Sequence, residues 1–134
     1  MKTFFADSNF LIRFLINDVV PQALEAKEKL ERARAGAIKI KVAQITIFEI
    51  AFTLEKFYKL EKSKTVGLLK SVVGMPYLDV EDRESFLEAL GLYERVRVDF
   101  VDIFIYCKAG QNEAEILSFD KDFTKLSRTE PRKQ

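Results

Sequence analysis

Lys2-Thr-Phe-Phe-Ala-Asp7-Ser-Asn-Phe-Leu-Ile-Arg-Phe-Leu-Ile16 decides the fold. Residues Lys2 to Ala6 read as a short buried strand. Asp7-Ser8-Asn9 supplies turn and cap chemistry, and Phe10 to Ile16 reads as an apolar helix. The same order repeats downstream. A helix from Pro21 stops at Gly36, and Ile38-Lys-Ile-Lys-Val42 alternates apolar and basic residues as a half-buried strand does. A helix then opens at Thr46 and runs to about Leu60, which puts Glu49 in its first turn. Ser63 to Val73 is a further helix ending at Gly74, Tyr77 to Val80 a strand, and Glu81 to about Arg95 a helix with Phe86, Leu87, Leu90 and Leu92 inward. An apolar helix from Asp99 to Ala109 closes at Gly110, and Glu115 to Phe119 is a strand ending at Asp120. Strands separated by helix-length crossovers are mostly parallel, so the fold class is α/β.

The 134 residues suit one domain, expected over residues 1–127, with a flexible tail over 128–134. Hydrophobic residues make up 48% and charged residues 32%, the balance of a soluble globular protein. No apolar run approaches a membrane span. The opening Met-Lys-Thr-Phe-Phe resembles the start of a signal peptide, but Asp7 and Asn9 interrupt it and no small-residue cleavage site follows, so the expected compartment is the cytoplasm. Cys107 is the single cysteine, which rules out an internal disulfide and a thiolate cage for zinc. Histidine is absent. Serine–histidine hydrolases, histidine-based nucleases, zinc proteases and zinc deaminases are thereby excluded, leaving carboxylate and lysine chemistry. A net charge of +1 gives no global field for nucleic acid, so such binding requires a local basic patch.

Most acids here belong to solvated helix faces; four keep different company. Asp7 lies between Phe4-Phe5-Ala6 and Phe10-Leu11-Ile12, and Glu49 between Ile45-Thr46-Ile47-Phe48 and Ile50-Ala51-Phe52. Asp102 lies between Phe100-Val101 and Ile103-Phe104-Ile105, and Asp120 follows Ile116-Leu117-Ser118-Phe119. Segments this apolar are expected to be largely buried, and a buried carboxylate requires compensation. Asp7 and Asp120 fall at predicted strand ends, and Glu49 and Asp102 in the first turns of helices at the same edge, where open parallel sheets bind ligands. Oxygen ligands without imidazole or thiolate suit Mg²⁺ or Mn²⁺, and carboxylates holding such an ion suit phosphodiester hydrolysis. Each position also has an ordinary reading. Asp7 caps a helix; Thr46-Ile-Phe-Glu49 fits a capping box; Asp99 is an N-cap with Asp102 favoured by the helix dipole; Asp120-Lys-Asp122 is a turn.

The order Phe-Phe-Ala-Asp7-Ser-Asn-Phe-Leu, Thr-Ile-Phe-Glu49-Ile, Asp99-Phe-Val-Asp102-Ile-Phe-Ile and Leu-Ser118-Phe-Asp120-Lys-Asp-Phe123 resembles the PIN domain, particularly the VapC-like toxins of toxin–antitoxin pairs. The resemblance spans residues 2 to about 126. It implies a three-layer α/β/α sandwich with a central, mostly parallel sheet of four or five strands, and a Mg²⁺- or Mn²⁺-dependent endoribonuclease. Its acids map to Asp7, Glu49, Asp102 and Asp120 as catalytic residues, with Asp7, Asp102, Asp120 and Asp99 as metal ligands. Ser118 matches a small hydroxyl residue that holds the last acid or a bound water. Two departures stand out: bulky Ile-Phe-Ile-Tyr-Cys-Lys-Ala after Asp102, and a polar ending after Phe123 that leaves the sheet one strand short.

Arg13, Arg97 and Lys121 adjoin the motif acids and are the expected substrate contacts, whereas Lys56, Lys59, Lys62 and Lys64 read rather as a solvated helix face. The resemblance implies an RNA substrate, a cognate antitoxin and a homodimer. The other functional readings are a housekeeping PIN nuclease in RNA maturation, a non-cleaving PIN scaffold, and a phosphoacceptor signalling module, the last disfavoured by the lone acid at Asp7.

Overall fold

The computed structural model describes residues 1–129. The chain divides into two compact units, one of Met1–Asp82 and one from Arg83 onward. The first holds a parallel sheet flanked by helices, in the order β1 (Lys2–Phe5), α1 (Ser8–Ile16), α2 (Val20–Arg34), β2 (Ile38–Val42), α3 (Gln44–Phe52), a π-helical turn (Thr53–Phe57), α4 (Lys62–Val73) and β3 (Leu78–Val80). The second holds α5 (Arg83–Tyr93), α6 (Phe100–Gln111) and α7 (Asp122–Thr129). No helix among the described residues is long and apolar enough to cross a membrane.

The strands run β1-β2-β3, all parallel, with Phe4 opposite Ile40 and Ile40 opposite Leu78. Parallel pairing places every strand's carboxyl end at one edge, from which α1 and α3 start. The period-2 reading of β2 holds: Ile38, Ile40 and Val42 are buried, while Lys39 and Lys41 reach Asp79 of β3 on the opposite face at 3.6 and 3.9 Å. Beneath the apolar face, α2 buries Ala23, Ala26, Leu30 and Ala33, and small side chains on that stripe let helix and sheet approach closely. Leu11, Ile47, Ile50, Leu54, Val66 and Leu69 are fully buried around them. Each contributes roughly 1.5–3 kcal/mol relative to exposure.

The second unit is built on aromatic packing. Phe86 of α5 meets Phe104 of α6 with ring centroids 4.5 Å apart, and Tyr93 meets Phe100 at 5.2 Å. The inward set on α5 differs in one residue from the expectation. Phe86, Leu90 and Leu92 are buried, but Leu87 is exposed and Ser85 takes the inner position, its hydroxyl donating to Gln111 Oε1 at 2.7 Å. At about 100° per residue, Leu87 falls off the arc shared by residues 85, 86, 89 and 90.

The expected strand from Glu115 to Phe119 does not pair with any described residue. The sheet therefore has three strands among the described residues, against four or five expected. Leu117 and Phe119 stand fully in solvent. A short, largely apolar run fits a strand, but pairing is a property of two segments and only one is local. The helix α7 takes in Arg128 and Thr129, the first residues of the expected tail; residues 130–134 lie outside those described.

Candidate metal centre

Asp7 follows β1 at the carboxyl edge of the sheet, and its Oδ1 accepts from Phe10 N at 2.9 Å, making it the N-cap of α1. The cap reading is thus correct, and the carboxylate is exposed rather than buried. Glu49 lies in the second turn of α3, not the first, because the helix starts two residues earlier than expected at Gln44. The capping box at Thr46 consequently does not form. The start of α3 is capped from elsewhere: Gln44 N donates to Glu81 Oε1 at 2.7 Å, and Gln44 Nε2 to Asp82 Oδ2 at 2.6 Å. Glu49 is also exposed.

In the second unit Asp102 occupies the first turn of α6, half-buried, one turn after the N-cap residue Asp99, whose side chain makes no cap bond. Asp120 sits in a tight polar turn. Its N–H donates to Ser118 Oγ at 2.9 Å, and its Oδ1 accepts from Asp122 N at 2.9 Å. That turn adds two carboxylates to the one on α6: oxygens of Asp102, Asp120 and Asp122 lie within 4.8 Å of one another. Burial raises the Asp102 pKa, and the charges of Asp120, Asp99 and Asp122 raise it further.

Burial of all four acids was the wrong expectation, since only Asp102 is even half-buried. Apolar neighbours at i±1 on a helix or strand point elsewhere, and several are themselves exposed, among them Phe5, Ile45, Phe52, Val101 and Ile105. Asp122 was missed as a cluster member. Its signal was the Asp120-x-Asp122 spacing, read only as a turn; it is a turn, and it also gathers the two carboxylates.

Of the expected substrate contacts, Lys121 and Arg97 are exposed, with Arg97 O accepting from Lys125 Nζ at 3.2 Å. Arg13 is engaged within the fold. Its guanidinium donates to Gln22 Oε1 at 2.9 Å and to Tyr58 Oη at 3.0 Å, and pairs with Asp18 at 3.4 Å. Tyr58 Oη in turn donates to Asp18 Oδ2 at 2.8 Å, and this bond is the main reason the Asp18 pKa is lowered. An open crevice of about 900 Å³, lined by Tyr106, Leu117, Ser118, Asp120, Phe123 and Thr124, adjoins the three-carboxylate cluster.

The donor set fits a hard divalent cation. It offers carboxylate oxygens without imidazole or thiolate, and of the causes that raise the Asp102 pKa, burial first and then the charges of Asp120, Asp99 and Asp122, a cation would offset the charges.

The chain thus carries a parallel sheet flanked by helices with Asp7 directly after β1, and, in its second unit, a tight cluster of three carboxylates. The PIN domain family model matches residues 4–129, and the chain belongs to that family. PIN domains are nuclease-type folds, commonly metal-dependent ribonucleases. No curated protein matches the chain.

Proposed function

We propose that the chain is a Mg²⁺- or Mn²⁺-dependent endoribonuclease acting as the toxin of a toxin–antitoxin pair. The observation that carries the nuclease reading is the carboxylate cluster of Asp102, Asp120 and Asp122 in a chain of the PIN family. Asp7, Asp102, Asp120 and Asp99 are assigned as metal-holding residues, with Asp122 added, and Glu49 completes the catalytic set. The chemistry such an ion supplies is neutralisation of phosphate charge and acidification of an attacking water.

The chain's own residues set the geometry. The first turn of α6 fixes Asp102, and burial together with the neighbouring carboxylates raises its pKa, a repulsion that a bound cation would offset. Ser118 fixes the turn that aims Asp120, and Asp122 N holds that carboxylate's orientation. Asp7 is oriented by its cap bond to Phe10 N. Lys121 and Arg97 contact RNA phosphates, and Arg13 acts by positioning α1. The crevice beside Asp120 is open, which suits a long, flexible polyanion better than a small metabolite.

The antitoxin and dimer assignments rest on the family resemblance and on apolar side chains left in solvent. Ile45 and Phe52 stand one above the other on α3, at 64% and 66% exposure, with Phe57 beyond them at 76%.

The test is incubation of purified protein with a pool of structured and unstructured RNAs, with Mn²⁺, with EDTA, and as Asp7→Asn or Asp102→Asn. Cleavage is expected only with the ion and the native acids. Cleavage that survives EDTA or either substitution overturns the mechanism. For the toxin role, induced expression should arrest growth of a bacterial host and the Asp102→Asn variant should not; growth unaffected by an active nuclease refutes it.

A further inference from the structure

The first unit carries a cavity that the metal-site argument does not use. It has a volume of about 310 Å³, opens to solvent, and is walled by Phe4, Phe5 and Phe10 with Ile38 and Ile40 behind them. Two groups on its lining carry charge. Lys29 of α2 is half-buried with its ammonium 5.8 Å from the Phe4 ring centroid, and Asp7 lies on the same lining. Lys2 approaches the same Phe4 ring at 5.2 Å. Strand β1 explains the arrangement: Phe4 shares a sheet face with Ile40, its partner in β2, and the chain turns at Asp7 directly into α1, which brings Phe10 back towards Phe4.

We propose that this cavity receives one unpaired base of a single-stranded RNA, stacked on phenylalanine, with the flanking phosphate on Lys29 and Lys2. This inference rests on the ribonuclease reading and assigns the subsite that holds one nucleotide of its substrate. Charge complementarity selects the occupant. Both ammonium groups lie over the Phe4 ring, so a base that takes the ring face displaces them onto its own phosphate, whereas a purely apolar peptide side chain would leave both lysines unused. A base inside a duplex cannot enter, because its faces are already covered by its neighbours. Since Asp7 lines the same cavity, the seated base places the adjoining backbone beside one of the proposed catalytic acids.

The experiment is fluorescence anisotropy in EDTA, which prevents cleavage, using the full chain and a labelled short single-stranded RNA. Its controls are the same sequence as a duplex and a set of strands carrying one abasic nucleotide at successive positions. Phe4→Leu keeps apolar bulk and removes the ring; Lys29→Gln keeps the stem and removes the charge. Phe4→Leu should weaken single-strand binding about tenfold, within the range for one lost base stack, and leave duplex binding unchanged. Lys29→Gln should flatten the salt dependence by about 0.7 in log–log slope. One abasic position should cost the wild type a similar factor and cost Phe4→Leu nothing further, a non-additivity that a merely unfolded variant does not produce.

If wild type cleaves RNA with Mn²⁺ but both variants bind single strands as wild type does, or if the duplex binds as tightly as the single strand, the cavity assignment falls and the nuclease reading stands. If wild type neither binds nor cleaves RNA, the nuclease reading falls and takes the cavity assignment with it.

Discussion

Replacing Asp102 by asparagine removes one of three carboxylates whose oxygens lie within 4.8 Å. Two like unit charges at that separation repel by about 0.9 kcal/mol in water-like surroundings and about 3.5 kcal/mol at an effective dielectric of ~20. Asp120 is open to water, so the lower figure governs. Two neighbours then give about 1–2 kcal/mol of relief. Without divalent ions, the Asp102→Asn protein should therefore melt about 5 °C higher than wild type, although the substitution destroys the proposed activity. Its response to Mn²⁺ should shrink. A native site at a hundredfold excess over its dissociation constant gains about 2.7 kcal/mol from the ion, and the variant should lose most of that gain. The pH dependence has a definite sign. The folded pKa of Asp102 is raised, so wild type pays for ionising it only above the ordinary value of 3.8, and the advantage of asparagine should be full at neutral pH and fade as the pH falls towards 3.8. Thermal unfolding followed by circular dichroism in EDTA and in Mn²⁺, at pH 7 and pH 4, measures all of this. A variant less stable than wild type in EDTA, or one that gains as much from Mn²⁺, refutes the electrostatic account.

Asp7→Ala should cost about 1 kcal/mol through loss of the α1 cap, whereas Asp7→Asn keeps the cap and should unfold at the wild-type urea midpoint while cleaving RNA about 100-fold more slowly; equal urea midpoints for both variants would contradict the cap. Thr65 Oγ1 is buried without a hydrogen-bond partner, so Thr65→Val should stabilise the protein by about 1 kcal/mol in urea titration, and a clear loss would reveal a partner. Tyr58→Phe should lower the denaturation midpoint at neutral pH by cutting the link to Arg13 and Asp18. Because the Asp18 pKa is lowered, that stabilisation exists above 3.8 and is lost as the pH falls through the folded value, so the gap between variant and wild type should narrow in acid; a constant gap points to packing alone.

The sequence was most readable where the signal is local. Ile38 to Val42 shows its alternation and adopts it residue for residue. The helix starting beside Asp7 is equally plain, because its cap is three residues from its donor. Non-local determinants were not readable. The start of α3 lies at Gln44 because Glu81 and Asp82 satisfy it, and nothing around Thr46 announces that. The π-helical turn at Thr53–Phe57 carries no glycine or proline to mark it. For the candidate site, the acids were picked by their apolar neighbours, a signal that named two of the three carboxylates lying together, Asp102 and Asp120, but misjudged burial. Asp122 follows lysine and opens a polar helix, so the same criterion passed over it.

The bond from Gln44 to Glu81 spans 37 residues, and that fact bears on the order in which the chain assembles. Isolated helices this short do not persist in water, and α3 has no cap of its own to retain its first turn. Its N-terminus is secured only when β3 has paired with β2 and carried Glu81 to the sheet edge. Each of those parallel pairings must close a crossover loop before any contact rewards it. The segment that presents Glu49 thus depends for its first turn on residues 81 and 82, and a nascent chain that has not reached them lacks that support however much of α3 it already contains.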